Sequence, residues 1–204
     1  MKITNKIPIE HPAFQLKLGS GFLLLIALIF FFDEDGFLSA LLPAVLMHEM
    51  GHVLAMLFFG ARPIRLSATL SGLEIDYSGA INEKQELATA LAGPAAGIIF
   101  SLLCAGLGRC WESEYLMMCS GLSMVLNIFN LLPALPLDGG RALGFMLRFL
   151  LEEKAANSLL RGIGLITALT LTAFGLYFTA RGFGIALFAA GIWLFIAQTN
   201  RACK

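Results

Sequence analysis

The sequence predicts an all-α polytopic membrane protein of about six transmembrane helices, with one short β-hairpin in the loop after the second. Three observations lead there. Of 204 residues 58% are hydrophobic and 14% charged, with a mean hydropathy of +0.80, whereas soluble domains carry about 25% charged residues. The apolar residues gather into six runs near the roughly 20 residues that a membrane span needs. The cationic residues are divided unevenly between alternate loops.

The first run, 16–32, is followed by Asp33-Glu34-Asp35 instead of a small-residue cleavage site, so it reads as a retained span and not a signal peptide. Further spans are expected at 37–59, 87–107, 115–132, 159–180 and 183–199. Only Arg181 and Gly182 separate the last two, which implies a tight helical hairpin. The apolar run 142–151 carries Arg148 and is too short to span; it should lie at the interface or extend the fourth helix. The whole of 1–204 reads as one intramembrane domain.

Six spans place both termini on one side. That side holds Lys2, Lys6, Lys17, Arg62, Arg65, Lys84, Arg141, Arg148, Lys154, Arg161, Arg201 and Lys204, against Arg109 and Arg181 on the other. The positive-inside rule makes the richer side cytoplasmic: a multi-pass cell-membrane protein with cytoplasmic termini. With a net charge of zero and no basic block, nucleic acid is not expected as a partner. Cys104, Cys110, Cys119 and Cys203 show no metal-binding spacing and read as free thiols, with a Cys110–Cys119 pair left open.

The second run contains MHEMGH, residues 47–52. Residues four apart share a helix face, so His48 and His52 can offer imidazoles to one ion, and Glu49 lies one residue round from the first. Two ligands and a general base in H-E-x-x-H form are metalloprotease chemistry. Ionisable groups at membrane depth are rare and usually functional. A catalytic zinc site usually has three protein ligands, and Asn130-Leu-Leu-Pro133-Ala-Leu-Pro136-Leu-Asp138-Gly-Gly140 supplies a further carboxylate. Its prolines break the fourth helix and its glycines permit an unwound backbone, tolerated in a membrane only where protein or water satisfies it. Asp138 is therefore expected in a hydrated cavity able to bind a cation, with an N-cap of the next segment as the alternative.

HEMGH followed by NLLPALPLDGG resembles the intramembrane zinc metalloproteases of the site-2 protease family, with closest similarity to the short bacterial branch that processes a pro-sigma factor during sporulation. The resemblance covers nearly the whole chain. It implies one Zn2+ per chain held by His48, His52 and Asp138, with Glu49 as catalytic base. It also implies that Asn130 binds the scissile carbonyl or its oxyanion and that Pro136 lines the substrate site. Gly93-Pro94-Ala-Ala-Gly97 looks like the family's glycine-proline motif; from the residues alone it reads as a small-residue face for helix packing. The nucleotide-sensing domain usual in the sporulation branch is not expected up to Lys204.

Between the second and third spans, 65–77 alternates apolar and polar residues about Ser71-Gly72, the period of a β-hairpin. Leu66, Ala68, Leu70, Leu73 and Ile75 line one face and are candidates for capturing an unwound substrate strand; a plain connector is the alternative. The resulting expectation is a zinc endopeptidase near the cytoplasmic side of the bilayer, acting on membrane-protein substrates in regulated proteolysis, with a regulatory membrane partner that gates access. A zinc transporter would need ligands along a path to both faces, and a catalytically inactive scaffold would have lost a ligand or Glu49.

Overall fold

A computed structural model describes residues 15–18, 33, 36–69, 72–78, 82–182 and 184–200. In order these form β1 (Gln15–Leu18), α1 (Phe37–Phe58), β2 (Arg62–Thr69), β3 (Gly72–Ser78), α2 (Glu83–Cys110), α3 (Glu114–Asn130), α4 (Asp138–Leu150), α5 (Glu153–Ala180) and α6 (Ala186–Asn200). Helices α1, α2 and α5 are long and apolar enough to cross a membrane, and large apolar side chains such as Leu46, Leu54, Leu102 and Ile166 stand exposed along them, as a lipid-facing surface requires. At 17 and 15 residues, α3 and α6 are shorter.

The expected first span does not begin at residue 16. Gln15–Leu18 form a strand whose polar–apolar alternation, Gln-Leu-Lys-Leu, is obscured in the sequence by the apolar run behind it. The remainder of that span, 19–32, lies outside the described residues. Strand β1 pairs in parallel with β2, and β2 pairs antiparallel with β3 in the order β1-β2-β3. Leu66 faces Ile75 and Ala68 faces Leu73 in that register; Leu70 lies outside the described residues.

Helices α1 and α2 begin at side chains that sequence rules favour. The Asp33 carboxylate accepts from the N–H groups of Phe37 at 2.8 Å and Leu38 at 2.7 Å, an anion on the positive end of α1. Asn82 and Gln85 form a reciprocal capping box at the start of α2. Gly60, with φ +81°, lets the chain leave α1.

Two groups of helices result. In the first, α1, α2 and α3 pack closely: a Cβ at Gly51 of α1 would run into the backbone carbonyl of Ala92 and the side chain of Ala96 on α2. Ser101 donates to the Ser120 carbonyl at 2.8 Å and Ser123 to the Gly97 carbonyl at 2.9 Å, joining α2 to α3, while the Tyr115 hydroxyl donates to the Ser39 carbonyl of α1 at 3.0 Å. The second group is the α5–α6 hairpin, where Gly175 faces the Phe188 backbone and Gly191 faces Thr172. The unwound segment 131–137 joins the groups, since Ala134 and Leu137 share one buried cluster with Ala168 of α5 and Leu194 of α6. Cys110 is exposed at the end of α2 while Cys119 is buried among the helices beside Cys104, and all three are free; the Cys110–Cys119 pair is not made, and Cys203 lies outside the described residues.

Candidate metal centre

The i, i+4 spacing on α1 brings His48 and His52 side by side, with Nε2 atoms 3.2 Å apart. Gly139 and Gly140 then admit the first turn of α4 against the α3–α4 segment: a Cβ at Gly139 would overlap the Leu131 carbonyl, and one at Gly140 the Ala134 and Leu135 backbone. This seats Asp138 with Oδ2 at 3.0 Å from His48 Nε2 and 3.2 Å from His52 Nε2. All three residues are buried, and their candidate ligand atoms lie within 4.8 Å of one another. Zinc bonds of about 2.0–2.1 Å at tetrahedral angles need ligand atoms about 3.3 Å apart. The triangle of 3.0, 3.2 and 3.2 Å has that size, so the donor set fits such an ion.

The far side of each imidazole is committed. His52 Nδ1 lies 2.8 Å from the Thr89 carbonyl oxygen on α2, so its N–H donates there and Nε2 keeps its lone pair for the cluster. His48 Nδ1 lies 2.8 Å from Asn127 Oδ1 on α3, with the same effect. The Asn127 amide is itself fixed, with Nδ2 donating to the Ser123 carbonyl at 2.6 Å and reaching Ser123 Oγ at 3.3 Å. Partners of this kind set the tautomer and ring orientation of a ligating histidine.

Sequence reasoning missed Asn127. A signal was present, because Ser120, Ser123, Asn127 and Asn130 recur at helical spacing along one stripe of α3. Asn130 sits one turn beyond Asn127, half-buried at the end of that stripe, and it is Asn127 that reaches His48. The glycine-proline motif also does more than let helices touch. A Cβ on Gly93 would overlap the His52 imidazole, and one on Gly97 would overlap the Asn127 carboxamide. These two glycines leave room for the polar side chains of the cluster.

Glu49 is half-buried beside the cluster and interacts electrostatically with His52, His48, Asp138 and Arg141. The Arg141 guanidinium, one turn after Asp138, stands 3.8 Å from Asp138 Oδ1, the carboxylate oxygen not directed at the histidines. Asp138 is the first residue of α4, but its Oδ2 faces the imidazoles and no side-chain cap bond forms there. Pro136 follows a cis peptide bond in the segment leading to Asp138.

Comparison with known proteins bears on the fold and on the segment around Asp138. Residues 109–171 match the sequence pattern of Peptidase family M50, a stretch that includes Asp138 and the segment before it but not the two histidines. A zinc metalloprotease of Methanocaldococcus jannaschii is 28% identical over 145 residues, covering 67% of this chain and 41% of that protein. Rip3 of Mycobacterium tuberculosis is 28% identical over 183 residues, covering 82% of this chain and 44% of its own. The chain thus spans less than half the length of the curated relatives it matches. The solved site-2 protease of Methanocaldococcus jannaschii superposes with a TM-score of 0.68 at 23% identity, covering 91% of this chain and 89% of that one. The fold is that of a site-2 protease, and residues 109–171 carry the M50 pattern.

Proposed function

We propose that the chain is an intramembrane zinc endopeptidase that cleaves a peptide bond in or near a membrane-embedded segment of a substrate protein. The observation that carries this reading is the convergence of His48 Nε2, His52 Nε2 and Asp138 Oδ2 on one point, with Glu49 beside it and both imidazoles oriented from behind. His48, His52 and Asp138 would hold one zinc ion per chain. Zinc bound there would supply Lewis acidity at the site. Glu49 accepts the proton of the attacking water and returns it to the leaving amine, the work of a general base that then serves as acid. Asn130 and Pro136, near opposite ends of the unwound segment, are the residues this reading assigns to the substrate backbone.

A transmembrane substrate must leave its helix before a peptide bond can be attacked, and its freed N–H and C=O groups then need partners. Strand β3 pairs on one side with β2 and, among the described residues, has no strand on its other side, so strand addition can meet that need. Leu73 and Ile75 lie on that outer strand and Leu66 and Ala68 on the strand behind it. The charge distribution favours a cytoplasmic site and cytoplasmic termini, and the resemblance to site-2 proteases implies a role in regulated proteolysis such as sigma or anti-sigma factor processing under a gating membrane partner.

The test is reconstitution of the purified full chain in lipid with candidate single-span substrates. Cleavage should require zinc, stop on chelation, and return on adding zinc back. Cleavage that survives full metal removal would refute the mechanism.

A further inference from the structure

Among the described residues of the α5–α6 hairpin, Gln198 is the only buried polar side chain, with 4% of its surface exposed. A primary amide withdrawn from water into an apolar setting costs several kcal/mol unless it is hydrogen-bonded. Gln198 Nε2 donates to the carbonyl oxygen of Leu135, inside the unwound segment that leads to Asp138. The segment closes on itself elsewhere: the N–H of Ala134 reaches the Leu132 carbonyl at 2.8 Å, that of Leu137 the Ala134 carbonyl at 3.0 Å, and that of Arg141 the Leu137 carbonyl at 3.0 Å. The Leu135 carbonyl is the one tied to α6.

The contact is built from both helices. A Cβ on Gly164 of α5 would stand 2.9 Å from Gln198 Cδ and Oε1 and 3.0 Å from Nε2, so the carboxamide lies against bare backbone at Gly164. One turn back on the same face of α6, Leu194 is fully buried against Ala134 and Leu137 of the segment and Ala168 of α5. One face of α6 therefore grips the chain immediately before the third candidate ligand.

We infer that Gln198 is a positioning residue: it fixes segment 131–137, and through it the Asp138 carboxylate, so that the seating of the α5–α6 hairpin governs the metal centre. This rests on the reading of His48, His52 and Asp138 as ligands. Displacement of the hairpin, by a partner or by substrate, would be transmitted to Asp138 while both histidines stay in place.

The experiment compares Zn2+ affinity, measured by chelator competition, and the visible spectrum of the Co2+-loaded protein. The purified full-length proteins are wild type, Gln198→Leu, Gly164→Ala, Asp138→Ala and Ser101→Ala. Wild type must bind metal more tightly than Asp138→Ala; if the two bind alike, the ligand assignment fails and the inference with it. Given that difference, Gln198→Leu should weaken Zn2+ binding about 10–100-fold and move the Co2+ spectrum toward that of Asp138→Ala. Gly164→Ala, which displaces the carboxamide while keeping Gln198, should do the same to a smaller degree. Ser101→Ala removes a buried helix–helix hydrogen bond away from the segment and should leave both readouts at wild type. If Gln198→Leu does not fold, Gly164→Ala carries the test alone. Wild-type affinity and an unchanged Co2+ spectrum in the folded Gln198→Leu or, failing that, in Gly164→Ala would overturn the inference.

Discussion

The α1–α3 group and the α5–α6 hairpin both rely on glycine for close approach, yet they spend the space differently. In the hairpin, the room at Gly175 and Gly191 is filled by the backbone of the opposing helix, the familiar use of small residues where lipid offers no hydrophobic drive for association. In the first group, the room at Gly93 and Gly97 is filled by the His52 ring and the Asn127 amide. A small-xxx-small pattern alone does not distinguish packing from function; what occupies the vacated volume does. Gly164 belongs to the second kind although it lies in the hairpin, because Gln198 fills it.

The sharpest way to break this comparison is to alter the chemistry and leave the packing intact. Glu49→Gln removes the proposed base and no ligand, so cleavage should fall at least about 10²-fold while metal analysis finds zinc retained. Near-normal turnover would show that the polar cluster is not the catalytic one. Asp138→Ala should lose metal as well as cleavage, and full zinc occupancy in it would move the third ligand elsewhere.

Next come the glycines themselves. Gly93→Ala sets a methyl group against the His52 imidazole and should weaken zinc binding by about 10-fold or more, with overpacking costing about 1–3 kcal/mol. Gly175→Ala should cost comparable stability by separating α5 from α6, with a smaller loss of zinc affinity. Thermal unfolding in detergent, read beside metal titration, separates the two, and equal effects of both variants on zinc would dissolve the distinction. A step smaller, Asn127→Leu leaves the His48 N–H without its acceptor and should cost about 10-fold in metal affinity. The smallest effect belongs to Ser101→Ala, with about 0.6 kcal/mol of stability lost for one buried interhelical hydrogen bond and no change in cleavage.

Much of the candidate site was legible from sequence because its signals are local. His48 and His52 are related by one helical turn, and Asp138 is marked by the prolines and glycines that unwind the chain around it. Asn127 and Gln198 were not, since each answers to a partner 79 or 63 residues away, and an isolated amide in an apolar helix does not name its acceptor. Helices α1, α2, α3, α5 and α6 fall on expected apolar runs, with edges shifted where caps such as Asn82 and Ser113 intervene, whereas α4 is a helix of its own that starts at Asp138, four residues before the run expected there. Strand β1 was hidden because four alternating residues weigh little beside the run that follows them.

The cluster also imposes an order of events during synthesis. His52 emerges from the ribosome 86 residues before Asp138, so α1 can enter the bilayer carrying two histidines and a glutamate but only two of the three proposed ligands. A nascent chain at that stage cannot hold the ion as the finished one would. Since the carbonyl of Leu135 waits a further 63 residues for Gln198, the centre gains that anchor only after α5 and α6 have been made. If the cluster is the hydrolytic centre proposed above, a chain assembled in this order would spare α1 to α5 while they are still being made.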